Sequence, residues 1–307
     1  MIEVKSVTKT FEGYKALDNV SCKIPEGCIY GMIGSNGAGK STFLRLISGV
    51  YVPDSGEILI DGEPVYENVK VKNEIAFVPD EFYFMTGSSM KRMAEVYRSV
   101  YRDFDLERFN KLTEMFKLDP NKSLGTFSKG MRRQASIILA LSTRPKYVFF
   151  DEAFDGLDPV MRKLVKTILY SDIEENGTTA IITSHSLREL EDLCDELALL
   201  HKGGLVLESD ISSLETSLFK VQTAFSDEYD RKRFDGLNVL EFEKNGSVAN
   251  MIVKGDKEKT ESTIKAMNPL FLDILPLTLE EVFTYEMASL GYTFDPELLG
   301  EGEKDEK

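Results

Sequence analysis

The chain has 307 residues, of which 42% are hydrophobic and 29% are charged. This composition is typical of a soluble globular protein with one large domain, or with one domain and a smaller second one. The net charge of −15 disfavours unspecific binding to nucleic acid or to anionic membranes. The apolar runs are shorter than the roughly 20 residues that cross a bilayer. No signal peptide is expected, and three cysteines without a C-x-x-C pair favour a reducing, cytoplasmic setting.

Strands and helices alternate along the first two thirds of the chain. The segments MIEVKSVTKTF and KALDNVSCKIP alternate apolar with polar residues and predict two antiparallel strands. A continuous apolar run, GCIYGMI, predicts a buried strand, which a glycine-rich loop and the helix STFLRLISGV follow. Two further strands are predicted in GEILIDGEPV and EIAFVPDE.

A helical stretch then interrupts the alternation, and we place this helical subdomain at about residues 82–142. Strand and helix resume in KYVFFDEA, in the long segment from Pro159 to Gly177, and in TTAIITSHS. The pattern predicts an α/β fold with a mostly parallel sheet, an antiparallel β subdomain and a helical insertion.

The character of the chain changes near residues 212–218. We expect a main domain over residues 1–214 and a small C-terminal α+β domain over residues 215–299, with a turn at Asn245-Gly246. The polar residues 300–307 predict a disordered acidic tail.

The segment GSNGAGKS after the third strand matches G-x-x-x-x-G-K-[ST] between a strand and a helix, which is the context that a phosphate-binding P-loop requires. Backbone N–H groups of such a loop and the positive end of the helix bind phosphates. The Lys40 ammonium is suited to the β- and γ-phosphates, and the Ser41 hydroxyl is suited to Mg²⁺. The predicted nucleotide-binding residues of this segment are Gly34, Ser35, Asn36, Gly37, Ala38, Gly39, Lys40, Ser41 and Thr42.

Two acids end the apolar strand YVFFDE. Asp151 is expected to hold Mg²⁺, and Glu152 is expected to polarise the attacking water as general base. Acids at the end of a strand are common in loops, so this interpretation depends on the P-loop that precedes them.

The stretch FSKGMRRQ precedes the apolar run ASIILALS. Ser128 is expected to cap the start of a helix. Either this is an ordinary capped helix of the core, or the positive end of the helix faces a phosphate.

Five elements in this order resemble the ATP-binding subunit of an ABC transporter over about residues 1–210: GSNGAGKS, FSKGMRRQ, YVFFDE, GLD and ITSHS. The resemblance implies a P-loop NTPase fold, ATP and Mg²⁺ as ligands, and ATP hydrolysis. It also implies a head-to-tail dimer with a second ATP-binding subunit, in which Ser128 and Gly130 contact the γ-phosphate of ATP held by the partner's P-loop. A separate transmembrane permease subunit would hold the protein at the inner face of the cell membrane, with no nucleic acid as a partner.

Other roles carry over position by position. Phe11 corresponds to the aromatic residue that stacks on adenine, and Tyr14 competes with it for that role. Asp158 corresponds to an acid that crosses the dimer interface, and His185 to the switch histidine that contacts the γ-phosphate.

Two departures bear on the site. Lys129 replaces the first glycine of the family's usual LSGGQ segment, and Asp80 stands where the family usually has glutamine. Asp80 is expected either to bind the metal or to mark the link to a membrane partner. The segment LEEVF at residues 279–283 resembles the end of ABC-2-type exporter subunits and favours export over import.

Two alternative functions remain at this stage. One is a soluble ABC-type ATPase that acts on ribosomes or DNA, which the single P-loop, the lack of heptads and the acidic charge disfavour. The other is a regulator that binds ATP only to dimerise.

Overall fold

The computed structural model describes residues 1–211 and 218–289. The chain divides into two compact units, Met1–Glu208 and a second that begins at Ser209. The domain boundary that the sequence predicts, between residues 214 and 215, lies outside the described residues, as does the predicted tail at residues 300–307.

An antiparallel sheet forms one layer of the first unit. Its order is β2-β1-β4-β5, and β1 pairs antiparallel with both β2 and β4. The alternating sequence explains this layer, because every other residue of β1 near its start is buried. Its strands are β1 (Ile2–Phe11), β2 (Tyr14–Ile24), β4 (Ser55–Ile60) and β5 (Glu63–Pro64).

A six-stranded sheet of order β10-β9-β3-β8-β7-β6 forms the second layer. The five strands other than β10 run parallel, and all residues of β3, β7 and β8 are buried, as their continuous apolar sequences require. The strands are β3 (Ile29–Ile33), β6 (Ile75–Val78), β7 (Tyr147–Asp151), β8 (Thr179–Ser184), β9 (Glu196–His201) and β10 (Gly204–Asp210).

Seven helices of the first unit are described, three of them in the predicted helical subdomain. They are α1 (Lys40–Ile47), α2 (Val69–Lys72), α3 (Met90–Val100), α4 (Leu106–Met115), α5 (Lys129–Leu141), α6 (Pro159–Asn176) and α7 (Leu187–Glu191). The ends follow local chemistry: α6 begins after the capping Asp158 with Pro159 in its first turn, and it ends at Gly177 in the left-handed region.

The main core lies where α1 and the two sheets pack together. Phe43 of α1 is buried with Tyr30 of β3 and Tyr147 and Phe149 of β7. This packing fixes the start of α1, and therefore the loop before it, against the ends of the parallel strands.

The second unit contains its own antiparallel sheet, of order β12-β13-β11-β14. Its core includes Phe219, Val221, Phe234, Met251 and Ile264. The described elements are β11 (Leu218–Ala224), β12 (Val239–Asn245), β13 (Val248–Lys254), α8 (Lys257–Lys265), β14 (Phe271–Pro276) and α9 (Leu279–Ser289).

The predicted Asn-Gly turn is displaced by one residue. Asn245 still pairs with Val248, so the two turn residues are Gly246 and Ser247. Gly246 has φ 65°, which suits the first central position of a hairpin turn.

None of the helices formed by residues 1–211 and 218–289 combines the length and the apolar character that crossing a membrane requires.

Candidate nucleotide site

The candidate site lies at one edge of the six-stranded sheet. The P-loop follows β3, Asp80 follows β6, and Asp151 ends β7. His185 follows β8 directly. Parallel strands bring their carboxyl ends to one edge, where ligands of open α/β sheets bind.

Two glycines fix the shape of the P-loop. A Cβ atom on Gly34 would lie 2.4 Å from the backbone oxygen of Leu200. Gly39 has φ +111°, and a Cβ atom there would lie 2.4 Å from the backbone oxygen of Ala16. The loop therefore packs against its neighbours at distances that no side chain tolerates, and it leads directly into α1.

The Lys40 side chain lies along the inside of the loop and is 4% exposed. Its Nζ donates to the backbone oxygen of Gly34 at 2.7 Å and lies 3.2 Å from Glu152 Oε1. The P-loop lysine and the predicted general base are thus in direct contact.

Ser41 and Asp151, the two residues that the sequence predicts to hold Mg²⁺, also lie in direct contact. Ser41 Oγ donates to Asp151 Oδ1 at 2.8 Å, and Thr183 Oγ1 lies 3.1 Å from the same oxygen. Burial raises the pKa of Asp151, and the hydrogen bonds from Ser41 and Thr183 oppose that rise. A hydroxyl beside a carboxylate is an all-oxygen donor set that fits Mg²⁺.

Glu152, Asp155 and His185 form a cluster beside this pair. His185 Nδ1 lies 3.0 Å from Asp155 Oδ2 and 3.9 Å from Glu152 Oε2. Glu152 itself has φ 49°, a left-handed conformation that is uncommon outside glycine and frequent at functional sites.

Asp155 shares a hydrogen bond with Glu189 of α7. The pKa of Asp155 is raised to about 9, mainly because the carboxyl group is buried and secondly because of this hydrogen bond. Glu189 also accepts from Ser184 Oγ at 2.8 Å. Sequence reasoning missed this pair, although Asp155 lies between two segments that it singled out.

The aromatic residues proposed for adenine, Phe11 and Tyr14, line the same cleft as Lys40 and Ser41. Phe11 is 38% exposed and contacts Tyr51 edge-on, with ring centroids 5.4 Å apart. Tyr14 donates its hydroxyl to the backbone oxygen of Gly37 at 3.2 Å. The cleft, of about 360 Å³, is lined by Phe11, Tyr14, Ala16, Asn36, Gly37, Gly39, Lys40, Ser41, Thr42, Asp80 and Glu152.

Asp80 also lines a second cleft of about 340 Å³, together with Lys129, Gly130, Arg133, Glu152, Asp155 and Gly156. Its Oδ1 lies 2.9 Å from Arg133 Nη2. The metal role of Asp80 stays a prediction. The sequence did not predict that the Asp80 carboxylate forms an ion pair with Arg133.

Ser128 and Asp158 do not line the P-loop cleft of their own chain. Ser128 Oγ caps α5 by accepting from Met131 N at 3.2 Å, and Asp158 Oδ1 caps α6 by accepting from Met161 N at 2.9 Å. Both local capping roles are therefore present, whereas the contact of Ser128 with a phosphate held by a second subunit stays a prediction.

A family model described as ABC transporter matches residues 17–155. The ABC transporter ATP-binding protein YtrB of Bacillus subtilis is 31% identical over 283 residues, which cover 92% of this chain and 97% of YtrB. The chain belongs to the ATP-binding subunits of ABC transporters. It is an ATP-binding subunit with ATPase activity.

Other relatives and solved structures agree with this assignment. The bacitracin transport ATP-binding protein BcrA of Bacillus licheniformis is 29% identical and covers 70% of this chain and 71% of its own length. A methionine import ATP-binding protein, MetN of Clostridium acetobutylicum, is 28% identical over 84% of this chain and 85% of its own.

The fold also matches a solved structure of the ATP-binding subunit of an ABC transporter, with a TM-score of 0.65 at 23% identity over 70% of this chain and 92% of that one. A dimeric ATP-binding cassette bound to ADP and Pi gives a TM-score of 0.63 at 24% identity, over 69% and 99% of the two chains. These likenesses confirm the P-loop NTPase fold.

Proposed function

We propose that this ABC ATPase works as a head-to-tail dimer with a second ATP-binding subunit and drives a separate transmembrane partner in export. The observation that supports the catalytic part is that Lys40, Ser41 and Glu152 line one cleft, where Lys40 contacts Glu152 and Ser41 contacts the buried Asp151. The dimer is supported by Ser128 and Asp158, which do not line their own cleft, and by the dimeric neighbour.

The chemistry follows from the side chains around the cleft. Water attacks the γ-phosphorus, the bond from that phosphorus to the bridging oxygen of ADP breaks, and Glu152 accepts the proton of the water. Lys40 would stabilise negative charge on the phosphate oxygens, and we expect His185, which lies beside Asp155 and Glu152, to contact the γ-phosphate. Phosphate oxygens compete with Glu152 for the Lys40 ammonium. ATP binding would therefore weaken the ion pair between Lys40 and Glu152, so that the Glu152 carboxylate can accept a hydrogen bond from the attacking water.

Ser41 and Asp151 would hold Mg²⁺ through oxygen atoms. When bound, the ion neutralises charge on the β- and γ-phosphates. Phe11, which is partly exposed and lines the cleft, would stack on the adenine, and Tyr14, which also lines the cleft, is the alternative.

Export is supported by the LEEVF segment, which forms the start of α9 in the second unit. BcrA is named for bacitracin transport, whereas MetN is named for methionine import. The membrane partner would bring the chain to the inner face of the cell membrane.

The catalytic proposal is tested by Glu152→Gln. Without the base, we expect the variant to bind ATP with near-normal affinity and to hydrolyse it at least about 100-fold more slowly. Single-turnover hydrolysis and equilibrium binding of ATP measure the two properties. Glu174→Gln, which changes an exposed carboxylate of α6, is the matched control. Near-normal turnover of Glu152→Gln would remove Glu152 from the base role.

The partner is tested by purifying the tagged chain from its native cells after mild detergent solubilisation and identifying co-purifying proteins by mass spectrometry. We expect a polytopic membrane protein at comparable abundance, and a second ATP-binding chain if the dimer is mixed. Recovery of ribosomal proteins instead would contradict the transporter assembly.

A further inference from the structure

An ion pair joins the loop after β6 to the helix that follows the FSKG segment. Arg133, in the second turn of α5, places Nη2 2.9 Å from Asp80 Oδ1. The two residues are 53 positions apart. The Arg133 side chain is 4% exposed, whereas that of Asp80 is 47% exposed.

The buried guanidinium depends on Asp80 for its charge balance. Arg133 Nε has no hydrogen-bond partner in the described part of the chain, and the Phe82 ring covers the guanidinium with its centroid 5.5 Å from Cζ. Glu152 and Asp155 also line the second cleft, but Asp80 is the residue whose carboxylate lies within ion-pair distance of Arg133 in the described part of the chain. Asp80 is therefore the anion that neutralises Arg133.

Asp80, the more exposed member of the ion pair, lies between two clefts. Asp80 lines the P-loop cleft together with Lys40 and Ser41, and it also lines the second cleft together with Gly130. The Asp80 carboxylate thus lines the chain's own nucleotide cleft and also contacts α5, the helix whose start is capped by Ser128.

We propose that Asp80 is a positioning residue: by pairing with Arg133 it fixes the start of α5 relative to the P-loop cleft of the same chain. The pair thereby links each chain's own cleft to the helix end that it offers to the other subunit. Asp80 acts through Arg133 and not as a metal ligand.

The unequal burial of the partners predicts unequal effects. Asp80→Asn leaves a buried cation without a counter-charge, which is costly, whereas Arg133→Gln leaves a half-exposed carboxylate that water solvates. Combining the two changes removes both charges, so the double variant is expected to recover what Asp80→Asn loses.

The experiment is a double-mutant cycle on the full chain, read by urea unfolding, by kcat and KM for ATP, and by the Mg²⁺ concentration at half-maximal turnover. We expect kcat to fall roughly tenfold in Asp80→Asn and to return to within about threefold of the wild type in Asp80→Asn/Arg133→Gln. KM for ATP and the half-saturating Mg²⁺ concentration change less than about twofold in every variant.

Glu95→Gln is the control for removing a carboxylate from an arginine. It breaks the pair between Glu95 and Arg92 on α3, both of which are exposed, so no change in kcat is expected. Should Asp80→Asn fail to fold, Arg133→Gln and the double variant still report the effect: equal kcat in the two shows that Asp80 acts only through Arg133.

The proposal rests on the proposed head-to-tail dimer and catalytic roles for its turnover readout, whereas urea unfolding tests the ion pair independently of them. If the wild-type chain were inactive but unfolding showed coupling between Asp80 and Arg133, only the proposed function would be contradicted. Coupling in unfolding without coupling in kcat would reduce the pair to a structural contact and overturn the proposal. A raised requirement for Mg²⁺ in Asp80→Asn that Arg133→Gln does not rescue would overturn it in favour of a metal ligand.

Discussion

Asp155 shows how a single carboxyl group acquires unusual properties from its neighbours. Burial is the largest cause that raises the pKa of Asp155, and the neighbouring Glu189 and Glu152 raise it further, whereas Arg133 lowers it. The resulting pKa of about 9 means that the folded chain keeps a proton that the unfolded chain releases near pH 4. Between these values the folded state binds more protons, so the contribution of Asp155 to stability falls as the pH rises.

Asp155→Asn should remove this pH dependence, because the amide keeps the shape of the protonated acid and carries no titrating proton. We expect the free energy of unfolding of the variant, relative to that of the wild type, to increase from pH 5 to pH 8. Urea unfolding at the two pH values measures it, with the exposed Asp103→Asn as control. An identical difference at both pH values would contradict the raised pKa.

At the scale of elements, α5 combines an ordinary capped start with a proposed role in phosphate binding. Ser128 and Ser89 cap α5 and α3 in the same way, each accepting a backbone N–H at 3.2 Å. The two serines therefore form a matched pair that separates capping from phosphate binding.

Ser128→Ala and Ser89→Ala should each lower the free energy of unfolding by about 1 kcal/mol, since each removes a capping hydrogen bond. Only Ser128→Ala should also reduce ATP turnover, by roughly tenfold or more, because only Ser128 is proposed to face the γ-phosphate. Urea unfolding and steady-state ATPase assays measure both effects. Equal activity of the two variants would leave Ser128 with its capping role alone.

At the scale of the whole molecule, the proposed dimer predicts complementation between two inactive variants. Lys40→Ala damages the P-loop, and Ser128→Asp keeps a good helix cap but places a negative charge toward the γ-phosphate. In a mixed dimer, one site combines an intact P-loop with an intact α5 start.

Mixing equal amounts of these variants should restore activity to as much as roughly one quarter of the wild-type value, because random pairing makes one site in four intact. Steady-state ATPase activity of the mixture against each variant alone measures it. A mixture no more active than its components would contradict a site shared between two copies of this chain.

The sequence by itself determined the features that contiguous residues encode. The P-loop, the strand that ends in Asp151 and the capped start of α5 are each defined within about ten residues, where backbone preferences and hydrophobic period act directly. The alternation of these segments was also sufficient to predict that the first unit is an α/β fold with a mostly parallel sheet, an antiparallel β subdomain and a helical insertion.

Tertiary structure alone decided which distant charges meet. Asp80 pairs with Arg133, and Asp155 pairs with Glu189, across separations that no local pattern reports. These contacts arise because packing of the parallel sheet brings strand ends and helix starts to one edge, where the fold decides which ionisable groups lie together: Arg133 neutralises Asp80, whereas Glu189 favours the protonated form of Asp155.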